Sequence, residues 1–203
     1  MSKPLSWSNL ELLTKIGEGK AGTVWRARLR ESAQGLPQGS IVAVKQYKRW
    51  LFDEPGQMER IVREVEIGRS VLHPNLVRTY ALIFDDSHHP SLVMRHYDGV
   101  TLEVRLEELR TKSRYEDVSS ARGILRAVAE AVRALNDAGA VHRDLKPANI
   151  MITRDGPILM DLGVVKSSRF ADQTTSGRFL GTIRYSAPEY LGGEPNDSRV
   201  DVY

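Results

Sequence analysis

The spacing of apolar residues changes along the chain, and each change predicts a different element. Residues 10–16 and 23–29 are rich in strand-forming side chains, and the second run alternates Val24 with larger polar groups before a loop at Gly35, Leu36 and Pro37. The continuous apolar run Ile41, Val42, Ala43, Val44 predicts a third, well-buried strand. From Gln57 the period lengthens: Met58, Ile61, Val65, Gly68 and Leu72 recur at helical spacing until Pro74 ends the pattern. Residues 76–84 and 91–97 then read as two further strands joined by a turn over 85–90. Together these predict a small antiparallel sheet with one helix, a self-contained N-terminal lobe over residues 1–97.

Beyond Asp98 and Gly99, residues 98–203 predict a second, mainly helical lobe. Its clearest helix carries Ala121, Leu125, Val128, Val132 and Leu135 as one stripe and ends at Gly139, a natural residue for the position after a helix cap. That stripe needs a partner surface. Residues 150–152 and 158–160 flank an Asp155–Gly156 turn and predict a short hairpin directly after the helix. Residues 161–203 read mostly as loop. The most linker-like stretch, residues 31–40, is rich in Gln, Gly, Ser and Pro.

Composition narrows the class without naming a partner. Of the 203 residues 41% are hydrophobic and 27% charged, globular proportions that allow a real core. The net charge of +3, from 29 basic against 26 acidic residues, is too mild and too evenly mixed for a dedicated nucleic-acid surface. Zero cysteines exclude a disulfide framework, a thiolate zinc site and a cysteine nucleophile. No apolar run approaches the roughly 20 residues that span a bilayer, and residues 1–9 are polar, unlike a secretory leader. The expectation is a soluble, cytoplasmic chain with no nucleic-acid partner and no membrane segment.

Gly17, Gly19 and Gly22 stand at G-x-G-x-x-G spacing, a pattern shared by dinucleotide sites and by plain glycine turns. A dinucleotide site needs a helix to start at the third glycine, whereas the β-branched run Thr23, Val24, Trp25 continues as a strand. The glycines therefore predict a hairpin tip, either a flexible turn or a cover whose backbone N–H groups approach a polyphosphate. Lys45 ends an apolar strand, where a lysine commonly just reaches solvent. Paired with Glu64 of the first helix it would instead position nucleotide phosphates. Glu64 shares a helix face with Ile61 and Gly68, whereas Glu66 falls about 160° away.

The most specific string is His142-Arg143-Asp144-Leu145-Lys146-Pro147-Ala148-Asn149, followed by Asp161-Leu162-Gly163 and by Gly181-Thr182 and Ala187-Pro188-Glu189. In order and spacing these resemble the catalytic loop and the two ends of the activation segment of eukaryotic-like Ser/Thr protein kinases. The resemblance runs from about residue 10 to the end of the chain. It implies an α+β, two-lobed protein-kinase-like fold with an antiparallel β N-lobe and an incomplete, mainly helical C-lobe. It implies ATP as phosphoryl donor, with Mg²⁺ or Mn²⁺, and a protein substrate offering a Ser or Thr hydroxyl. Asp144 would orient the acceptor hydroxyl and take its proton, Lys146 steady the γ-phosphate, and Asn149 with Asp161 hold the metal. Lys45 and Glu64 would form the phosphate-positioning pair, Gly17, Gly19 and Gly22 would cover the phosphates, and Val24, Ala43 and Met151 would sandwich the adenine. Asp201 matches an acid that hydrogen-bonds the catalytic-loop backbone.

The chain departs from the family pattern in places. Leu162 replaces the usual Phe, a tolerable apolar exchange. Gly68 and Thr79 stand where kinases stack large apolar side chains, which predicts a thin stack and a need for support from a partner or a phosphate. Thr174, Thr175 and Ser176 are candidate phosphosites for an Arg143-centred pocket that Arg60 and Lys166 would also line. The family domain extends past residue 203, so the chain reads as a kinase cut short, expected to be poorly folded or aggregation-prone in isolation. A kinase-shaped binding module and, further off, a small-molecule phosphotransferase are the alternatives.

Overall fold

The computed structural model describes residues 3–53, 56–162, 185–188 and 198–202. By contact the chain divides into two units, one of Met1–Arg69 with Arg78–Tyr97 and the other of Ser70–Val77 with Asp98–Tyr203.

The first unit holds an antiparallel sheet of β1 (Leu10–Glu18), β2 (Gly22–Leu29), β3 (Ile41–Tyr47), β4 (Thr79–Phe84) and β5 (Pro90–Arg95), in the order β1-β2-β3-β5-β4. Helix α1 (Gln57–Ser70) lies in sequence between β3 and β4. Strand register explains why β3 reads as uninterrupted apolar sequence. Val44, opposite Trp25 and Val93, shares one face with Val42, and both join a core with Ala27, Leu29, Ala81 and Ile83. Ala43 and Lys45 alternate onto the other face, opposite Arg26 and Val24 on β2 and Met94 and Leu92 on β5. Both faces of β3 are thus buried.

Residues 31–40 are a packed turn rather than a linker. Ala33 and Leu36 exchange backbone hydrogen bonds of 3.0 and 2.9 Å around Gln34 and Gly35, whose φ angles are +47° and +78°. Two successive positive φ values suit a tight hairpin turn. Ala33 is buried in the core beside Leu5 from the N-terminal segment, and Leu36 packs against it.

The region around Pro74 also differs from the expectation. Helix α1 stops at Ser70, leaving Leu72 outside it and exposed, and β4 begins at Thr79 rather than at Leu76. Proline disfavours helical geometry in the residue before it, which accounts for the early stop. Leu76 and Val77 are diverted from β4 because they pair with the second unit, where Leu76 bridges Leu159 in parallel.

That second unit contains a sheet of β6 (Gly99–Thr101), β7 (Ile150–Thr153) and β8 (Gly156–Leu159), ordered β6-β7-β8, with helices α2 (Leu102–Thr111) and α3 (Val118–Asp137). Thr101 caps α2 by accepting from the Val104 N–H, and Asp117 caps α3 by accepting from the Ser119 and Ser120 N–H groups. Gly139, at φ +71°, follows the C-cap of α3. Helix α3 packs on β8, and its buried positions are Ile124, Ala131 and Leu135. The buried stripe is therefore rotated from the expected one: Leu125 is 71% exposed, and Ala121, Val128 and Val132 are half-buried. Among the described residues no helix is long and apolar enough to cross a membrane.

The glycine turn separates two substitutions. A Cβ on Gly22 would overlap the Gln46 carbonyl and stand 3.2 Å from Tyr47 Cα, whereas one on Gly19 meets nothing within 4 Å. Gly22→Ala should therefore cost about 1–3 kcal/mol, and Gly19→Ala should stay within about 0.5 kcal/mol, as read from urea melts. Equal losses would show that Gly22 does not mark a close backbone approach.

Candidate active site

In the first unit, Gly17 pairs with Val24, and the Gly19 N–H donates to the Gly22 carbonyl at 2.9 Å, closing the β1–β2 turn. Val24 and Lys45 are direct cross-strand partners, with Ala43 two residues away on the same face. Lys45 is 8% exposed and Glu64 is 3% exposed, whereas Glu66 faces solvent. A lysine and a glutamate are seldom buried without electrostatic compensation. The Lys45 ammonium lies 5.5 Å from the centroid of the Tyr47 ring, a compensating contact that the sequence did not reveal.

In the second unit, residues 142–149 leave α3, pass through a 3-10 turn at Pro147–Asn149 and enter β7. Asp201 sits in a 3-10 turn, Ser198–Asp201, and its carboxylate accepts the His142 N–H at 2.7 Å and the Arg143 N–H at 2.6 Å. Arg143 has φ +63°, an uncommon conformation for a side-chain-bearing residue, and the charge-assisted bonds from Asp201 hold it there. The next side chain, Asp144, receives two donors on Oδ2: Lys146 Nζ and Asn149 Nδ2, each at 2.9 Å. Asn149 Nδ2 also donates to the Asp144 backbone oxygen at 2.9 Å. The structure thus brings Asp144, Lys146 and Asn149 into one hydrogen-bonded group.

His142 is wholly buried behind them, a residue to which the sequence reading gave no role. Its Nε2–H donates to the Met160 carbonyl at 3.0 Å, and its Nδ1 accepts the Asp144 N–H at 3.3 Å. One neutral tautomer satisfies both contacts. Burial pushes the imidazole below its ordinary pKa, against the Met160 hydrogen bond and the nearby Asp201, Asp144 and Asp161 charges, which act the other way. Met160 N–H in turn donates to the Asn149 carbonyl at 2.8 Å, so the end of β8 is tied to both sides of the loop. Asp161 follows at φ +47°, and Leu162 after it is buried. Met151 lies on β7, opposite Thr101 and Ile158, half-buried.

These residues fit a divalent cation. The Asn149 amide nitrogen donates to two oxygens of Asp144, so the acceptor capacity of this side chain lies in its carbonyl oxygen. That oxygen and the Asp161 carboxylate are the hard donors that suit Mg²⁺. Among the described residues no group of three or more His, Cys, Asp or Glu gathers into a cage. Gly163, Gly181, Thr182, Glu189, Lys166 and the candidate phosphosites Thr174, Thr175 and Ser176 lie outside the described residues.

Residues 10–203 match the family model described as the protein kinase domain. The chain belongs to the protein kinase family. It is 37% identical over 199 residues to the serine/threonine-protein kinase PkaA of Streptomyces coelicolor, covering 93% of this chain and 35% of that one. It is 31% identical over 196 residues to Aurora kinase A-A of Xenopus laevis, covering 96% of this chain and 45% of that one. The chain thus spans about a third to a half of the length of these curated relatives. Its fold resembles that of the Mycobacterium tuberculosis PknI kinase domain, with a TM-score of 0.75 and 21% identity over 99% of this chain and 72% of that one. Membership in the protein kinase family implies ATP and a divalent metal.

The neutral imidazole in this kinase site gives stability a pH dependence of definite sign. In the unfolded chain His142 titrates near its ordinary value of about 6.5, and in the fold its pKa is depressed. The unfolded state therefore binds more protons in the interval between the two values. Stability is fully present above the unfolded value and is lost as pH falls toward the depressed folded one. Urea midpoints measured from pH 7.5 down to 5.5 should fall. His142→Gln, lower in stability throughout, should have a flatter profile, and an unchanged slope in that variant would place the titration elsewhere.

Proposed function

We propose that this chain is the catalytic part of a Ser/Thr protein kinase that moves the γ-phosphoryl group of Mg·ATP to Ser or Thr hydroxyls of a protein substrate. Residues 1–97 serve as the N-lobe and residues 98–203 as part of the C-lobe. The observation that carries this reading is the Asp144 carboxylate, bonded by Lys146 and Asn149 and set on a backbone that Asp201 restrains.

The chemistry follows from that arrangement. Asp144 accepts the proton of the substrate hydroxyl as its oxygen bonds to the γ-phosphorus, and the bond from that phosphorus to the β-bridging oxygen breaks, leaving ADP. Lys146 carries its ammonium beside the reacting oxygens and offsets charge that builds on the transferring group. Asn149 and Asp161 would hold Mg²⁺ through their oxygen donors, and the ion would supply positive charge to offset the phosphates. Lys45, kept in place by Glu64, draws the α- and β-phosphates into line. Gly17, Gly19 and Gly22 shape the turn above the phosphates, and Val24, Ala43 and Met151 provide apolar contacts for the adenine. Support for the Ser/Thr assignment comes from Lys146 in its Asp-Leu-Lys-Pro-Ala-Asn setting and from the names of the bacterial relatives.

Phosphorylation at Thr174, Thr175 or Ser176 would regulate the enzyme, with Arg143 receiving the phosphate through charge-assisted bonds. The activity belongs to the cytoplasm and uses no nucleic acid.

Substitution tests the division of roles. Lys45→Met should reduce phosphoryl transfer to a Ser/Thr peptide by at least about 100-fold while the melting transition persists. Asp144→Asn should lower kcat by about 10²–10⁴-fold with the Kd for Mg·ATP nearly unchanged, whereas Asp161→Asn should weaken Mg·ATP binding as well. Equal loss of nucleotide affinity in the two aspartate variants would sink the assignment, and full activity of Lys45→Met would remove Lys45 from it.

A further inference from the structure

The segment that follows α1 does more than connect two elements. Leu159 N–H donates to the Asn75 carbonyl at 2.7 Å, and Val77 N–H donates to the Leu159 carbonyl at 2.9 Å. The Asn75 side chain adds a third bond, from Nδ2 to the Pro157 carbonyl at 2.8 Å. These groups close the edge of β8 that does not pair with β7. A strand of four residues has little pairing of its own, so its position depends on what holds that edge.

Asn75 is itself fixed. Its N–H donates to His73 Nδ1 at 3.2 Å, and the Leu76 N–H donates to the His73 carbonyl at 3.1 Å. Its Nδ2 lies 3.8 Å from where a Cβ would stand on Gly156, the residue at φ +120° that opens β8. At the far end of β8, Met160 donates to the Asn149 carbonyl and accepts from His142, and Asp161 comes next.

We propose that Asn75 is a positioning residue of the active site, whose side-chain amide sets β8 and, through Met160, the placement of His142, Asn149 and Asp161. It touches neither nucleotide nor acceptor and acts through the strand. The proposal rests on the phosphoryl-transfer reading only where activity is the readout.

The first test needs no variant. In the unsubstituted chain, NMR should detect scalar coupling across the hydrogen bond from the Asn75 side-chain amide to the Pro157 carbonyl carbon, and absence of that coupling overturns the proposal. Asn75→Asp then keeps the shape and removes the donor. Amide exchange at Leu159 and Met160 should accelerate about tenfold or more, and the His142 imidazole nitrogen resonances should shift. A control in the first unit, Ile83→Val, a core position away from β8, should leave both readouts unmoved. Unchanged exchange and resonances in Asn75→Asp, or equal changes in the control, would reduce Asn75 to a general stability residue and defeat the proposal. In the kinase assay kcat should fall about 10-fold or more, with a rise in KM for Mg·ATP alongside it because Asn149 and Asp161 shift together; an unchanged kcat counts against positioning. Absence of transfer in a chain extended through the remainder of the family domain would overturn the kinase reading, while the NMR and exchange results would still decide the role of Asn75.

Discussion

Two backbone N–H groups, those of His142 and Arg143, converge on the carboxylate of Asp201 from 59 and 58 residues away in sequence. The His142 N–H would otherwise be a buried donor without an acceptor, a loss of roughly 1–3 kcal/mol. The same bonds hold Arg143 in its left-handed conformation, and that turn directs the following side chain, Asp144, toward Lys146 and Asn149. Local sequence does not favour such a bend, because no glycine stands there. A long-range carboxylate supplies what local propensity lacks, so the placement of Asp144 depends on a residue distant in sequence.

His142 extends this constraint to the sheet. Its ring accepts from the Asp144 N–H and donates to Met160, joining the catalytic loop to the end of β8. A positively charged ring would carry hydrogens on both nitrogens and turn a donor against the Asp144 N–H. Burial and hydrogen-bond geometry therefore favour the same neutral form, even with Asp201, Asp144 and Asp161 nearby. The Asp201 carboxylate is engaged by backbone donors and that of Asp144 by side-chain donors, which limits how much negative charge the ring experiences from them.

Much of this was legible in the sequence, and the exceptions share a physical cause. Strand and helix positions in the first unit followed from period alone, because β2 alternates and the face of α1 that holds Ile61, Glu64, Val65 and Gly68 is buried. The buried face of α3 could not be chosen that way. At about 100° per residue Ile124, Leu125, Val128, Ala131, Val132 and Leu135 span an arc of about 120°. That is wide enough that periodicity does not choose its centre, and packing on β8 buries the side with Ile124, Ala131 and Leu135 and leaves Leu125 at the other edge exposed. Leu76 and Val77 read as the start of β4 because they are strand-forming, and they do pair, but with β8. Pairing partners are a tertiary property that a β-prone run does not encode. The grouping of Asp144, Lys146 and Asn149 was readable from their motif, whereas the contacts of His142, Met160 and Asn75 depend on ring tautomer, carbonyl position and edge closure, which leave little signature in residue type.

The glycine motif shows how one spacing can serve different physical ends. Gly22 is required where the backbone of β3 comes close, since any side chain there would meet Gln46 and Tyr47. Gly19 has open space around its α-carbon, yet its N–H is already bonded to the Gly22 carbonyl and is not available to a phosphate. Gly17 is different again, with ordinary van der Waals room beside Val24. Openness above the turn therefore comes from the absence of side chains at Gly17 and Gly19, and the shape of the turn comes from Gly22 and the internal hydrogen bond. A phosphate approaching this hairpin meets a preformed bend rather than a slack loop, and a preformed bend loses less conformational entropy on closing over a ligand.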